Sequence, residues 1–122
     1  MATFKVIVAG SRDFGNYKLL EQKLNRLLSA KVVAEDEIVV ISGCARGADS
    51  LGELYAKTKG YAVERHPADW DKNGRSAGYI RNEQMAEVAD ALVAFWDGKS
   101  RGTAHMIETM NRLHKPVRVV RF

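Results

Sequence analysis

The chain has 122 residues, 46% hydrophobic and 28% charged, with a net charge of +4 and a pI of about 9.3. That length predicts a single domain, 1–122, with its own core, and the composition is that of an ordinary globular protein, which speaks against disorder or low complexity. One cysteine excludes an internal disulfide, and the opening apolar run meets Gly10, Ser11, Arg12 and Asp13 too early for a signal peptide or membrane span.

Residues 4–9, FKVIVA, predict a buried strand closed by Gly10. In YKLLEQKLNRLLSA (17–30), Leu20, Leu24, Leu27 and Leu28 follow a helical period and give one apolar face. EIVVIS (37–42) is a second strand, ended by Gly43. The stretch 47–59 is a second helix capped by Gly60, and YAVERH (61–66) a weaker strand stopped by Pro67. A polar loop, PADWDKNGRSAG, precedes a third helix reaching about Ala89. ALVAFW (91–96) is a fourth strand, 102–114 a fourth helix, and PVRVVRF (116–122) the last strand.

Strands alternating with helices across short connections imply right-handed crossovers and parallel pairing. Continuously apolar strands agree with burial on both faces. The expected architecture is α/β: one doubly wound, mostly parallel five-stranded sheet of Rossmann-like type, order 3-2-1-4-5, with helices on both faces. In such sheets ligands bind beyond the carboxyl ends of the strands, where the winding reverses.

The turns at that edge read GSRDFG, GCARGAD and DGKSRGT. Each joins glycine to arginine, and the last two run directly into a helix. Glycine admits unusual backbone angles and close approach. A helix start offers free N–H groups and the positive end of its dipole, and arginine a planar fork matched to phosphate oxygens. Arg12, Arg46 and Arg101 are therefore expected to converge, joined by Arg81. The hydroxyls of Ser11, Ser42, Ser100 and Thr103 lie at the same level. Against this stands the plainer account of each loop alone: glycine after a strand is ordinary turn chemistry, Asp49 suits the first turn of any helix, and an exposed arginine is usually solvated.

Two other motifs fail. DGKS (97–100) ends like a P-loop, but Val93 stands where the earlier glycine must be. No G-x-G-x-x-G occurs, so a nicotinamide cofactor is not implied. His66, Asp69, Asp71 and Asp97 could gather around a divalent ion, yet lack any recognised ligand spacing, so Mg2+ would enter only beside a phosphate. Cys44 sits near a helix start and Arg46, which favours a thiolate; without an identified base it is expected to be a small buried thiol. Trp70 and Trp96 both fall near the binding edge, with packing the expected role and base stacking by Trp70 the alternative.

The segments VIVAGSRDF, ISGCARGADSLGE, HPADWDKNGRSAGYIRNEQM and ALVAFWDGKSRGTAHMI, in this order, resemble the SLOG superfamily and within it the small YspA-like (cpYpsA-related) branch. SGCARGAD is similar to the SG-x-ARG-x-D loop of the DprA family, whose members bind single-stranded DNA, and Arg81-Asn82 to its arginine-asparagine pair. SRGT is similar to a glycine loop shared with the LOG phosphoribohydrolases. The resemblance implies a pocket for a nucleotide or nucleotide derivative. Gly10, Ser11 and Arg12 would form its first wall, with Asp97 and Gly98 at the same edge. The loop Gly43, Cys44, Ala45, Arg46, Gly47 would meet phosphate or ribose, and Ser100, Gly102 and Thr103 would cradle a phosphate. Arg81 falls at the arginine of the LOG R-K-x-x-M segment, here Arg81 to Met85.

One departure bears on catalysis. LOG enzymes carry a glutamate where this chain has Met106, and Glu108, two residues on, is rotated by about 200°. The first expectation is therefore a cytoplasmic sensor or nucleotide-binding module that touches no membrane. The alternatives are a nucleotide N-glycosidic hydrolase by a variant route, requiring an inward carboxylate such as Asp49, Asp69 or Glu83, and single-stranded DNA binding. Homo-oligomerisation is left open by the sequence, although related families are often dimeric or larger.

Overall fold

The computed structural model describes residues 2–122. Its elements are β1 (Thr3–Gly10), α1 (Tyr17–Val33), β2 (Glu37–Ser42), α2 (Ala48–Lys59), β3 (Ala62–Arg65), α3 (Trp70–Asn73), α4 (Ala77–Val88), β4 (Ala91–Trp96), α5 (Arg101–Arg112) and β5 (Val117–Arg121). The five strands form one sheet in the order β3-β2-β1-β4-β5, and every pairing is parallel. The expected doubly wound α/β architecture and its strand order are those observed.

Burial on both faces explains the continuous apolar strands. Val6 and Val8 of β1 join Leu20, Leu24 and Leu28 of α1 and Tyr55 and Ala56 of α2 in one core. Ile7 and Ala9 face the other way, toward Met85 and Ala86 of α4 and Met106 and Met110 of α5. Complete burial of each α1 leucine contributes about 1.5–3 kcal/mol. Gly52 lets α2 lie close on the sheet, because a Cβ there would come within 2.7 Å of Val8.

The polar loop expected after Pro67 is partly helical. Asp69 accepts a hydrogen bond from the Lys72 N–H at 3.1 Å and starts the single turn of α3. A 3-10 turn over 74–76 leads from it into α4. Side-chain capping at Asp69 supplies the order that the polar composition concealed. After β1 the chain turns toward β2 on one side, and after β4 toward β5 on the other, so the winding reverses between β1 and β4. The crevice above that point belongs to their carboxyl ends.

Candidate functional site

Backbone packing builds the crevice first. Gly10 ends β1 with no room for a side chain: a Cβ would collide with the Phe95 carbonyl and press on Ala48. The next residue, buried Ser11, works as a clasp. Its N–H donates to the Phe95 carbonyl at 2.9 Å and its own carbonyl accepts from Phe14 at 3.2 Å and Ala48 at 3.4 Å. Its hydroxyl accepts from the Asp97 N–H at 3.1 Å. Three loops distant in sequence are thus tied together by one serine.

The loop after β2 closes on this clasp. Gly47 has φ of 78°, and its Cβ position lies against the carbonyls of Ser11 and Arg12. A side chain is therefore barred by both conformation and contact. Asp49, 6% exposed, accepts from the Ala45 N–H at 3.2 Å. Burial raises its pKa to about 6, opposed by that backbone bond and by the Arg81 charge. Gly43 is buried between Arg81 and Asp49, whose nearest atoms both lie 2.8 Å from its Cβ position.

Arg81, half-buried near the start of α4, donates to the Gly43 carbonyl and to Asn82 Oδ1 at 3.1 Å. Burial pulls its pKa down, with Asp49 acting the other way. Two of its five donors are used in these bonds, leaving others for a ligand. Asn82 in turn donates to the Gly102 carbonyl at 3.1 Å and lies 3.2 Å from His105 Nδ1, which locks α4 to the start of α5.

After β4, the Asp97 carboxylate accepts from the N–H groups of Lys99 and Ser100, both at 2.8 Å. These bonds hold its pKa below the usual carboxylate range and fold the turn into α5. The Trp96 indole fixes the same turn by donating to the Ser100 carbonyl at 3.0 Å. Neither Gly47 nor Ser100 caps its helix through a side-chain hydrogen bond. The first-turn N–H groups of α2 and α5 therefore lack that partner at the crevice.

The result is a cavity of about 500 Å3. Of the residues singled out in the sequence, it brings together Gly10, Ser11, Arg12, Ala45, Arg46, Asp49, Arg81, Asn82, Asp97, Ser100, Gly102 and Thr103. Gly43 and Gly47 sit behind this lining as packing positions. Three residues fall away from it. The Ser42 hydroxyl is taken by Glu53 at 2.6 Å. Gly98 packs beneath the Arg121 guanidinium, and Arg101 is exposed outside the lining. Arg101 and Thr103 lie about 200° apart around the helix, so only one faces the cavity.

Sequence reasoning missed Ala9, Asp13 and Met85 as lining residues. Met85 was detectable as the residue four beyond Arg81, on the same helical face. Met106 also lines the cavity, fully buried, so an apolar side chain occupies the position compared with the LOG glutamate. Asp69 instead caps α3, and exposed Glu83 pairs with Arg112 at 3.9 Å. The four residues considered for a divalent ion do not gather: no group of three or more His, Cys, Asp or Glu suited to a metal occurs among the described residues. His66 pairs instead with Glu64 at 2.7 Å.

Cys44 departs from its expected burial. It is exposed, with φ of 65°, because the tight loop turns it outward. Partial burial of the sulfur and the Glu53 carboxylate raise its pKa, so the surroundings do not produce a thiolate. Among the described residues, no helix is long and apolar enough to cross a membrane.

Known proteins are similar to this chain in sequence or in fold. The model of the YspA, cpYpsA-related SLOG family (YAcAr) matches residues 4–73. Gene 61 protein of Mycobacterium phage D29 is 38% identical over 86 residues, covering 66% of this chain and 69% of the phage protein. DNA processing protein A (DprA) from Streptococcus pneumoniae superimposes on 97% of this chain with a TM-score of 0.75 and 17% identity; the chain spans 50% of the DprA chain. TM1055, a structural-genomics target, gives a TM-score of 0.65 at 21% identity, over 96% of this chain and 72% of its own. The two structures establish likeness of fold. The family match, which takes in the loops after β1 and β2, establishes more: the chain belongs to the YspA, cpYpsA-related SLOG family.

Proposed function

We propose that the cavity binds a nucleotide or nucleotide-derived ligand through its phosphate, and that the protein acts as a sensor or binding module. The carrying observation is convergence: Arg12, Arg46 and Arg81 line one cavity together with the starts of α2 and α5, neither capped by a side chain. Aspartates are present too, but Asp97 serves two backbone N–H groups and Asp49 serves a third. The arginines thus keep donors for an anion, and the helix dipoles act in the same direction.

Binding without turnover fits the catalytic side of the cavity. Met106 offers neither a base nor a charge to stabilise a cationic sugar. Asp49, the buried carboxylate at the wall, is oriented toward the Ala45 N–H. A hydrolase of variant mechanism would have to draw on it, or on Asp13 or Asp97 of the same lining.

Thermal unfolding against AMP, ADP, cyclic nucleotides and ribose 5-phosphate tests the proposal. A ligand at about one hundred times its Kd stabilises by about 2.7 kcal/mol, a shift of several degrees at this size. The expected shift is lost in Arg46→Ala and Arg12→Ala, two exposed arginines whose removal spares the core. A flat panel contradicts the proposal. Release of free base during the incubation would favour the hydrolase reading.

A further inference from the structure

A second, smaller cavity of about 190 Å3 adjoins the first. Arg12, Gly43 and Arg81 contribute to its wall, as do Pro67, Ala68 and Trp70. Arg12, Ala45 and Arg81 line both cavities, so two guanidinium-bearing residues stand at their shared boundary. Ligand pockets usually run to about 300–1,000 Å3. The main cavity can therefore hold the body of a ligand, whereas the smaller one can hold only a fragment.

The fragment's chemistry follows from Trp70. Its side chain is 53% exposed although it is the largest apolar group in the segment. The indole edge and Arg81 Nη2 lie 3.6 and 3.7 Å from the Cβ position of Gly78, in the first turn of α4, and Trp70 and Arg81 both line the small cavity. The segment carrying the ring is anchored. The His66 N–H donates to the Ser42 carbonyl at 2.8 Å, and Asp69 caps the turn that begins with Trp70. A fixed, half-open aromatic surface beside a cation suits a flat ring, which stacks without demanding a particular base.

We propose that this side cavity is a second subsite and that the ligand is two-ended: a nucleotide in the main cavity, a phosphate bridge between Arg12 and Arg81, and a second ring-bearing unit against Trp70. The proposal rests on the nucleotide reading of the main cavity and names the ligand class within it. Mononucleotides fill one half of such a site, and compounds that continue beyond the phosphate to a second ring fill both.

Calorimetric titration with AMP and diadenosine diphosphate tests this in the wild-type protein, Trp70→Ala and Trp70→Phe. Stacking of one base on an aromatic side chain corresponds to roughly 5- to 150-fold in affinity. The wild-type protein is expected to prefer diadenosine diphosphate over AMP by that factor. Trp70→Ala abolishes the preference while leaving the affinity for AMP unchanged, and Trp70→Phe restores most of it. Equal affinities in the wild-type protein, or a preference that persists in Trp70→Ala, overturn the second subsite while leaving the nucleotide reading intact. Failure of both compounds to bind overturns the subsite together with that reading.

Discussion

The start of α1, outside the cavity, and the starts of α2 and α5, at its wall, are built differently. At the start of α1, the Asn16 side chain accepts the Leu19 N–H at 3.1 Å. At the starts of α2 and α5, Gly47 has no side chain to offer and the Ser100 hydroxyl lies 3.3 Å from Thr103 Oγ1 instead. Serine is among the best capping residues, and a cap is worth about 1 kcal/mol. At α1 a side chain satisfies the helix end. At α2 and α5, where arginines gather, no side chain does so. This contrast supports the proposal that the cavity receives an anion, and does so more than any one of its residues.

The largest effect should come from closing the gap at α2. Gly47→Ala places a methyl group against the Ser11 and Arg12 carbonyls at positive φ, and is expected to cost about 3 kcal/mol or more. Urea unfolding would show it as a much lower midpoint. A variant of unchanged stability would mean that the loop does not rest on the clasp.

Asp49 gives the next effect. Its folded pKa, about 6, is above its ordinary value of 3.8, so the folded state binds the proton more tightly than the unfolded one. The associated stability is fully present below about pH 4 and is lost as pH rises through 6, by about 3 kcal/mol at most. Glu64 and Asp97, whose pKa values are lowered by their hydrogen bonds, contribute in the opposite sense and weaken as pH falls. Comparing Asp49→Asn with the wild-type protein between pH 4 and 8 separates the two trends. The variant should lack the decline across pH 4–7, and parallel profiles would show that Asp49 titrates normally.

The comparison of helix starts is itself tested by two milder changes. Asn16→Ala should reduce stability by about 1 kcal/mol and leave nucleotide affinity unaltered. Ser100→Ala should leave stability within about 0.5 kcal/mol of wild type while weakening nucleotide binding severalfold through loss of one hydroxyl. Chemical denaturation and calorimetry on the same pair of variants check both halves. A reversed pattern would remove the distinction between the two kinds of helix start.

Much of this organisation is legible in the chain. The apolar runs at 4–9, 37–42 and 91–96 give the central strands, and the doubly wound rule places their carboxyl ends together. Arg12, Arg46 and Arg101 could therefore be assigned to one edge from the sequence, with Arg81 as an addition; the cavity takes Arg12, Arg46 and Arg81 and leaves Arg101 out. The remaining features depend on contacts between distant residues. Ser42 reads as a site hydroxyl until Glu53, eleven residues away, is seen to take it. Gly98 reads as a phosphate-loop glycine, but its bareness accommodates Arg121 from the last strand. Arg101 differs from Thr103 only by its rotation about α5, which depends on where the helix begins. Glycines 10 and 47, read as making room for a ligand, make room for neighbouring backbone.

The most direct test is a two-dimensional 15N–1H NMR titration of the wild-type protein with AMP, followed by amide assignment of the residues that move. The account predicts saturable shifts at Asp49 in the first turn of α2 and at Gly102 and Thr103 in the first turn of α5, with the Leu19 amide of the capped α1 unmoved. Saturable shifts confined to other surfaces, or none at millimolar AMP, would contradict it.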